Sequence, residues 1–405
     1  MARGAVVAAT LATATGPLPA RGVAATAQVF SPGAVAWDDD GTIVFAGEAD
    51  RVPWEPVSGH VDEGTIVPGF VDCHVHLPFI GWRADEYEAR LAGRSYRDLH
   101  GREGGIFRSA RMLAEADDDE VLAFSKVLAQ EMAAHGTTAT ELKSGYGLSV
   151  EGELRQLRLA RRLADAIPQT CVVTLLACHA VPEGRSREHW VGVACDELIP
   201  AAATERLADA VDIYVEDIAF SLEDLERVAA AASAAGLPLR VHADQLGPSG
   251  AAEAAARLGA RSADHLNHVS PGGVATLGTS DTAAVLLPAS TLTLRAAPAP
   301  IAALRDAGAA LAIATDLNPG TSPVCSMPET IALACSLYGM APLEALAAST
   351  ANAAWVLGLG DRVGTLEPGK RADLVLLDGP TFAHVPYRPG HDPVIATVIA
   401  GERIA

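Results

Sequence analysis

The sequence predicts an α/β protein: a (β/α)8 barrel of the TIM type, accompanied by a small β-sandwich domain built from both chain termini. Three observations carry that expectation. Between residues 69 and 320, eight short β-type runs alternate with stretches of helical period. Both ends of the chain read instead as strands and hairpins. Polar residues with metal-binding chemistry collect at the ends of the eight runs, where barrels of this kind keep their catalytic groups. A chain of 405 residues has room for such a barrel, which takes roughly 250 residues, and a smaller partner. The expected division is 1–66 for the first part of the sandwich, 67–362 for the barrel and 363–405 for the second part.

The first element is "GAVVAATLATATG". The arginine before it and the apolar run resemble a secretory signal, but the run lacks leucine until Leu11 and is broken by threonines, so it is read as an opening strand. "GAVAWDDDGTIVFAGEADRV" carries Asp40-Gly41 between two β-prone runs, a hairpin signal. The barrel runs are then "GFVDCHVH" (69–76), "TTATELKS" (137–144), "TCVVTLLACHAV" (170–181), "AVDIYVED" (210–217), "LPLRVHADQ" (237–245), "RSADHLNH" (261–268), "TAAVLLPAS" (282–290) and "AALAIATDLNPG" (309–320). The sixth is short and polar, the weakest of the set. Helical stretches such as "DDDEVLAFSKVLAQEMAAHG", "VEGELRQLRLARRLADA" and "SLEDLERVAAAASAAG" lie between them, several opened by Ser or Asp and closed by Gly. Beyond residue 360, "VGTLEPGKRADLVLLDG" and "DPVIATVIAGERI" return to hairpin chemistry.

Composition narrows the function. Hydrophobic residues at 49% and charged residues at 20% give a globular balance, and disorder is excluded. A net charge of −20 repels nucleic acid and anionic membrane, so neither is expected as a partner, and an anionic ligand needs a local cationic pocket. Six cysteines without a CxxC pair read as reduced, buried residues. No apolar run reaches the roughly 20 residues of a membrane span, and the chain is expected to be soluble and cytoplasmic.

The chemistry starts at "HVH". A period of two puts His74 and His76 on one side of a strand, where they can offer two nitrogens to one metal ion. A lone strand-end histidine is more often a hydrogen-bonded neighbour, but Lys143, His179, Glu216, His242, His265 and Asp316 end other strands at the same barrel mouth. His242 and Asp316 are the best further ligands. His135, before Gly136, is read as a helix C-terminal residue favoured by the dipole.

On "PGFVDCHVH", "VGTLEPGKRADLVLLD" and these ligand positions, the chain resembles the amidohydrolase superfamily. Through "GWRADEYEARLAGRSY", "HGTTATELKSGYGL", "LLACHAVP", "VHADQLG", "SADHLNHVS" and "ATDLNPGTSP" it resembles the imidazolonepropionase family within it. The resemblance implies one Zn2+ or Fe3+ ion on His74, His76, His242 and Asp316. It implies substrate contacts from Arg83, Tyr146, His179, Gln245, Asn318, Gly320 and Thr321. The substrate would be a small anionic heterocycle, imidazolonepropionate, opened by metal-activated water with Asp316 and His265 as the catalytic groups. Arg83 then makes sense as a fork for the tail carboxylate, with Tyr146 and His179 as added donors; the plain alternative is a surface salt bridge from Arg83 to Asp85 or Glu86. Ile80, Trp82 and the segment 107–112 depart from the family pattern, at the cavity wall rather than at the reacting groups. Gln245 stands where related aminohydrolases carry a proton-shuttling glutamate, and an amide cannot ionise, which favours ring opening over deamination. Two rivals stay open: another amidohydrolase acting on a different heterocycle, and a metal-free scaffold of the same fold. A sandwich edge or a barrel helix would support a homodimer.

Overall fold

The computed structural model describes residues 3–21, 27–54, 60–99, 101 and 103–405. The chain opens with strands β1 (Gly4–Ala14), β2 (Ala27–Phe30), β3 (Gly33–Trp37), β4 (Ile43–Glu48) and β5 (His60–Pro68). The first is the strand expected there. Asp38 accepts the Gly41 N–H at 3.0 Å, and Gly41 has φ of 74°, so the hairpin turns at Asp40-Gly41 as its sequence requires.

The barrel follows: β6 (Phe70–Asp72), β7 (Thr137–Lys143), β8 (Thr170–Cys178), β9 (Ala210–Val215), β10 (Leu239–Ala243), β11 (Ser262–His265), β12 (Ala283–Leu286) and β13 (Leu311–Ile313). Each lies inside one of the eight predicted runs, and they pair in parallel in chain order. Gly69 marks the change of sheet, because a Cβ there would collide with the Thr138 side chain. β14 (Leu374–Leu377), β15 (Val394–Ile399) and β16 (Glu402–Arg403) then return to the first sheet, where β14 lies antiparallel to β5 and β1 runs parallel to it. Both chain ends thus build one mixed sheet of eight strands.

Helices between the strands begin where side chains can satisfy their open N–H groups. Asp117 and Glu120 form a reciprocal capping box on 118–134, Ser221 and Asp224 another on 222–234, and Ser149 caps 150–166. His135 is the C-terminal cap of the first of these and lies 3.3 Å from Asp392. No described helix is long and apolar enough to cross a membrane.

The barrel closes between its first and last strands by bonds just beyond their ends. Asp316 N–H donates to the His74 carbonyl at 3.0 Å, His76 N–H donates to the Leu317 carbonyl at 2.9 Å, and Val75 bridges Leu317 in parallel. Beneath them the buried Asp72 carboxylate accepts the Thr315 N–H at 3.0 Å and its hydroxyl at 2.6 Å. Burial pushes Asp72 up to about 7, against the pull of those two bonds. Thr315→Val keeps the shape but removes the hydroxyl from Asp72, and should cost about 1–3 kcal/mol of stability. A melting temperature equal to the parent's would show that the seam does not rest on this contact.

Candidate metal centre and substrate cavity

The residues after β6 turn both rings of the HxH pair inward, and the whole cluster is buried. His76 Nε2 lies 3.2 Å from His74 Nε2 and 3.5 Å from His242 Nε2. Asp316 Oδ1 is 3.4 Å from the first of these atoms and 3.7 Å from the second. Ligand atoms about 2.0–2.1 Å from a shared tetrahedral centre stand about 3.4 Å apart, so the spacing suits a single cation. The opposite nitrogens are held from behind: His74 Nδ1 is 2.6 Å from Asp264 and His242 Nδ1 is 3.1 Å from Asp212. Such carboxylates fix the tautomer that turns each Nε2 lone pair toward a metal. Burial drives His74 and His76 well below the usual histidine range, so both are neutral ligands. Three imidazoles and a carboxylate therefore fit a metal ion here, with His74, His76 and His242 as its nitrogen donors.

Below the cluster runs a ladder of buried charge. Lys143 Nζ bridges Glu141 at 2.6 Å and Asp212 at 2.7 Å, while Arg240 closes on Glu141 from the other side. Burial alone would push Asp212 up, but His242 and Lys143 beside it hold its carboxyl well below the ordinary range. Lys143, expected at the barrel mouth, lies under the histidines instead. Asp212, Asp264, Glu141 and Arg240 escaped the sequence reading. The available signal was a charged residue flanked by apolar ones on an inward-facing barrel position, as in "AVDIYV".

Two residues at the mouth have left-handed backbone, His265 at φ 80° and Asp316 at φ 56°. That conformation is unfavourable for both, and it aims the side chains across the cluster. Asp316 is held by Asn318, whose Nδ2 donates to its carbonyl at 2.7 Å and to Oδ1 at 3.1 Å. Asn318 Oδ1 in turn accepts the N–H groups of Gly320 at 2.9 Å and Thr321 at 2.7 Å. These three predicted residues form one turn.

Arg83, Tyr146, His179, Gln245, Asn318 and Thr321 line one cavity together with His76, His242, His265 and Asp316. Gly320 does not line it; a side chain there would strike the Arg83 guanidinium. The alternative for Arg83 is half met: it does pair with Glu86, at 3.1 Å, but inside the protein, while Asp85 binds Arg108 at the surface. Ser109 takes its Nη1. The atypical segment 107–112 thus supports the arginine, whereas Trp82 packs edge-on against Phe79 and tilted against Phe124. One expectation needs correction. His179 Nδ1 is 3.0 Å from the Gly145 carbonyl and must carry the proton, so the neutral ring offers an acceptor, not a donor, at Nε2. Burial keeps it neutral. Tyr96, Ile106 and Tyr214 also line the cavity and were not foreseen.

A profile of the amidohydrolase family matches residues 65–404. An imidazolonepropionase of Rubrobacter xylanophilus is 42% identical over 394 residues, 96% of this chain and 94% of its own length. Another, from Xanthomonas euvesicatoria, is 43% identical over 364 residues, 89% of this chain and 91% of its own. The chain belongs to the imidazolonepropionase family of amidohydrolases. Membership brings dependence on metal, which the histidine cluster is built to accept. Among solved structures, a guanine deaminase from Bradyrhizobium japonicum matches with a TM-score of 0.72 at 17% identity, covering 100% of this chain and 99% of that one. An adenosine deaminase from Xanthomonas campestris, solved with bound zinc, gives 0.66 at 21%, covering 98% and 92%. At those identities the likeness is one of fold.

Asp264→Asn should weaken metal affinity about 10- to 100-fold by unfixing His74, measured by competition with a chromophoric chelator. Unchanged affinity would make Asp264 a bystander. A second expectation concerns Glu216, whose Oε1 accepts the Gln245 and Leu246 N–H groups at 2.6 and 2.9 Å. Burial raises it to about 7 from 4.5. The unfolded chain ionises above about 4.5 while the folded chain holds the proton to about 7, so this residue's contribution to stability drains away as pH rises across that window. Glu216→Gln should flatten the slope of melting temperature against pH between about 5 and 8.

Proposed function

We infer from family membership and the cavity that the chain hydrolyses the cyclic amide C–N bond of 4-imidazolone-5-propanoate, giving N-formimidoyl-L-glutamate in histidine catabolism. One observation carries the reading: a buried arginine, Arg83, shares one cavity with a cluster of three histidines and an aspartate. An anionic tail and an electrophilic carbonyl are what such a pair of ends can hold at once. One Zn2+ or Fe3+ ion per chain suits the donors His74, His76, His242 and Asp316. Bound there, the ion supplies Lewis acidity, bringing the pKa of water down toward about 7.

The chain's own groups do the rest. Arg83 takes the propionate, with Tyr146 beside it, and Asn318 and Thr321 wall the same space. Asp316, its carboxyl raised by burial, is a good acceptor for the proton of the attacking water. His265 is pushed down to about 3 by burial and is neutral, so it meets the developing oxyanion as an N–H dipole rather than a cation. The ring C–N bond then breaks as its nitrogen takes a proton from Asp316. Gln245 holds the ring through its amide but moves no proton. That arrangement favours ring opening over the deamination named for the two structural neighbours. We place the reaction in the cytoplasm, with a homodimer as the simplest assembly.

The test is turnover of imidazolonepropionate, followed by loss of the ring's ultraviolet band, on metal-loaded and chelated protein. Activity should appear only with metal, and His265→Ala should lower kcat about 100-fold or more with metal content retained. Near-parental kcat in that variant would remove the oxyanion role; ammonia release from purines or pyrimidines, with no ring opening, would favour the rival deaminase.

A further inference from the structure

Tyr214 is the fifth residue of β9 and faces the barrel interior, as Asp212 does two residues earlier. Its ring stands edge-on to His242 at 5.7 Å and to His179 at 6.1 Å, and the residue is only 3% exposed. Rings packed this way leave the phenol little freedom, so the hydroxyl has a fixed place. Yet that hydroxyl is buried and has no hydrogen-bond partner among the described residues, although Tyr214 itself belongs to the wall of the substrate cavity. Phenylalanine would fill the same space without the penalty of a buried, unpaired O–H. What the oxygen lacks among the described residues, a molecule that enters the cavity can supply.

Its neighbours say which part of an entering molecule it meets. Tyr214 pairs in register with His242, and Gln245 follows that strand, so all three stand on one side of the site. Arg83 is anchored elsewhere, by Glu86 and Ser109. We propose that Tyr214 is a substrate-contacting, specificity-determining residue, whose hydroxyl completes its hydrogen bond with a polar atom of the heterocyclic ring, beside Gln245 and away from the carboxylate tail. The proposal rests on the reading of the cavity as a site for a carboxylated cyclic amide. It gives the pocket a second polar group that rejects a ring lacking the matching nitrogen or oxygen, because the phenol would then stay unpaired.

Tyr214→Phe in the metal-loaded protein is the test, with the parent assayed alongside. KM for imidazolonepropionate should rise about threefold to tenfold, the size of one neutral hydrogen bond, and the loss should fall on KM rather than kcat. The melting temperature of the free variant should stay level or rise, since no bond inside the protein is lost. Competitive inhibition by butanoate, which offers a tail and no ring, should be unchanged. An unaltered KM overturns the assignment, as does a lower melting temperature, which would reveal a structural partner. Weaker butanoate inhibition would move the hydroxyl to the tail and sink the ring contact. A parent protein that fails to turn over imidazolonepropionate defeats the functional reading itself, whereas a working parent with an indifferent variant defeats only the role of Tyr214.

Discussion

Three imidazole lone pairs converge on one buried point, and the rest of the barrel is arranged to make that tolerable. Nitrogens at 3.2 and 3.5 Å repel unless a positive centre lies among them. Each ring must also be kept from turning its protonated edge inward. Asp264 and Asp212 do this from behind for His74 and His242, and Asp212 is itself held by Lys143, Lys143 by Glu141, and Glu141 by Arg240. Charges alternate along this chain of contacts. Taking Glu141 away would leave Arg240 desolvated without its ion partner, which is the costly case for a buried ion pair. Interiors of such barrels are ordinarily filled by branched aliphatic side chains. Here that space beneath the site holds an ionic support.

The cavity above is assembled by loops that take their shape from single side chains. Asn318 turns the segment after β13 on itself, and Arg90 reaches the Gly320 carbonyl of the same turn at 2.9 Å. The absent side chain of Gly320 lets the Arg83 guanidinium lie against that turn. Glu86 ties Arg83 to the Gly105 N–H, which it accepts at 3.0 Å. The left-handed backbone of Asp316 persists because Asn318 and the seam bond to His74 hold it from both sides.

Periodicity made the barrel legible. Alternating runs, capped helices and the Asp40-Gly41 hairpin are local signals, and each local choice agrees with the fold around it. The convergent residues His74, His76, His242 and Asp316 could be found because several metal-binding side chains end different strands at one barrel mouth. "RSADHLNH" looked weak as a strand for the same reason that it matters: its Asp264 orients His74 and its His265 faces the cavity, which leaves little room for β-prone residues. What the sequence hid was pairing across space. Nothing local tells that Lys143 points down to Asp212 and not up to a ligand, that Glu86 pairs with Arg83 inside the protein, or that the proton of His179 is committed to a carbonyl. Those depend on register between strands far apart in the chain, and on burial, which periodicity reports only coarsely.

The seam between the first and last barrel strands has a consequence for how the protein is made. His74 and Asp316 belong to segments separated by most of the barrel, and the bonds across the seam set one against the other. A chain still emerging from the ribosome therefore carries two neighbouring histidines and later a third, but no finished cage, until its eighth barrel strand is free. Closing so long a loop is entropically slow. The full donor set exists only once the polypeptide has shut its own circle.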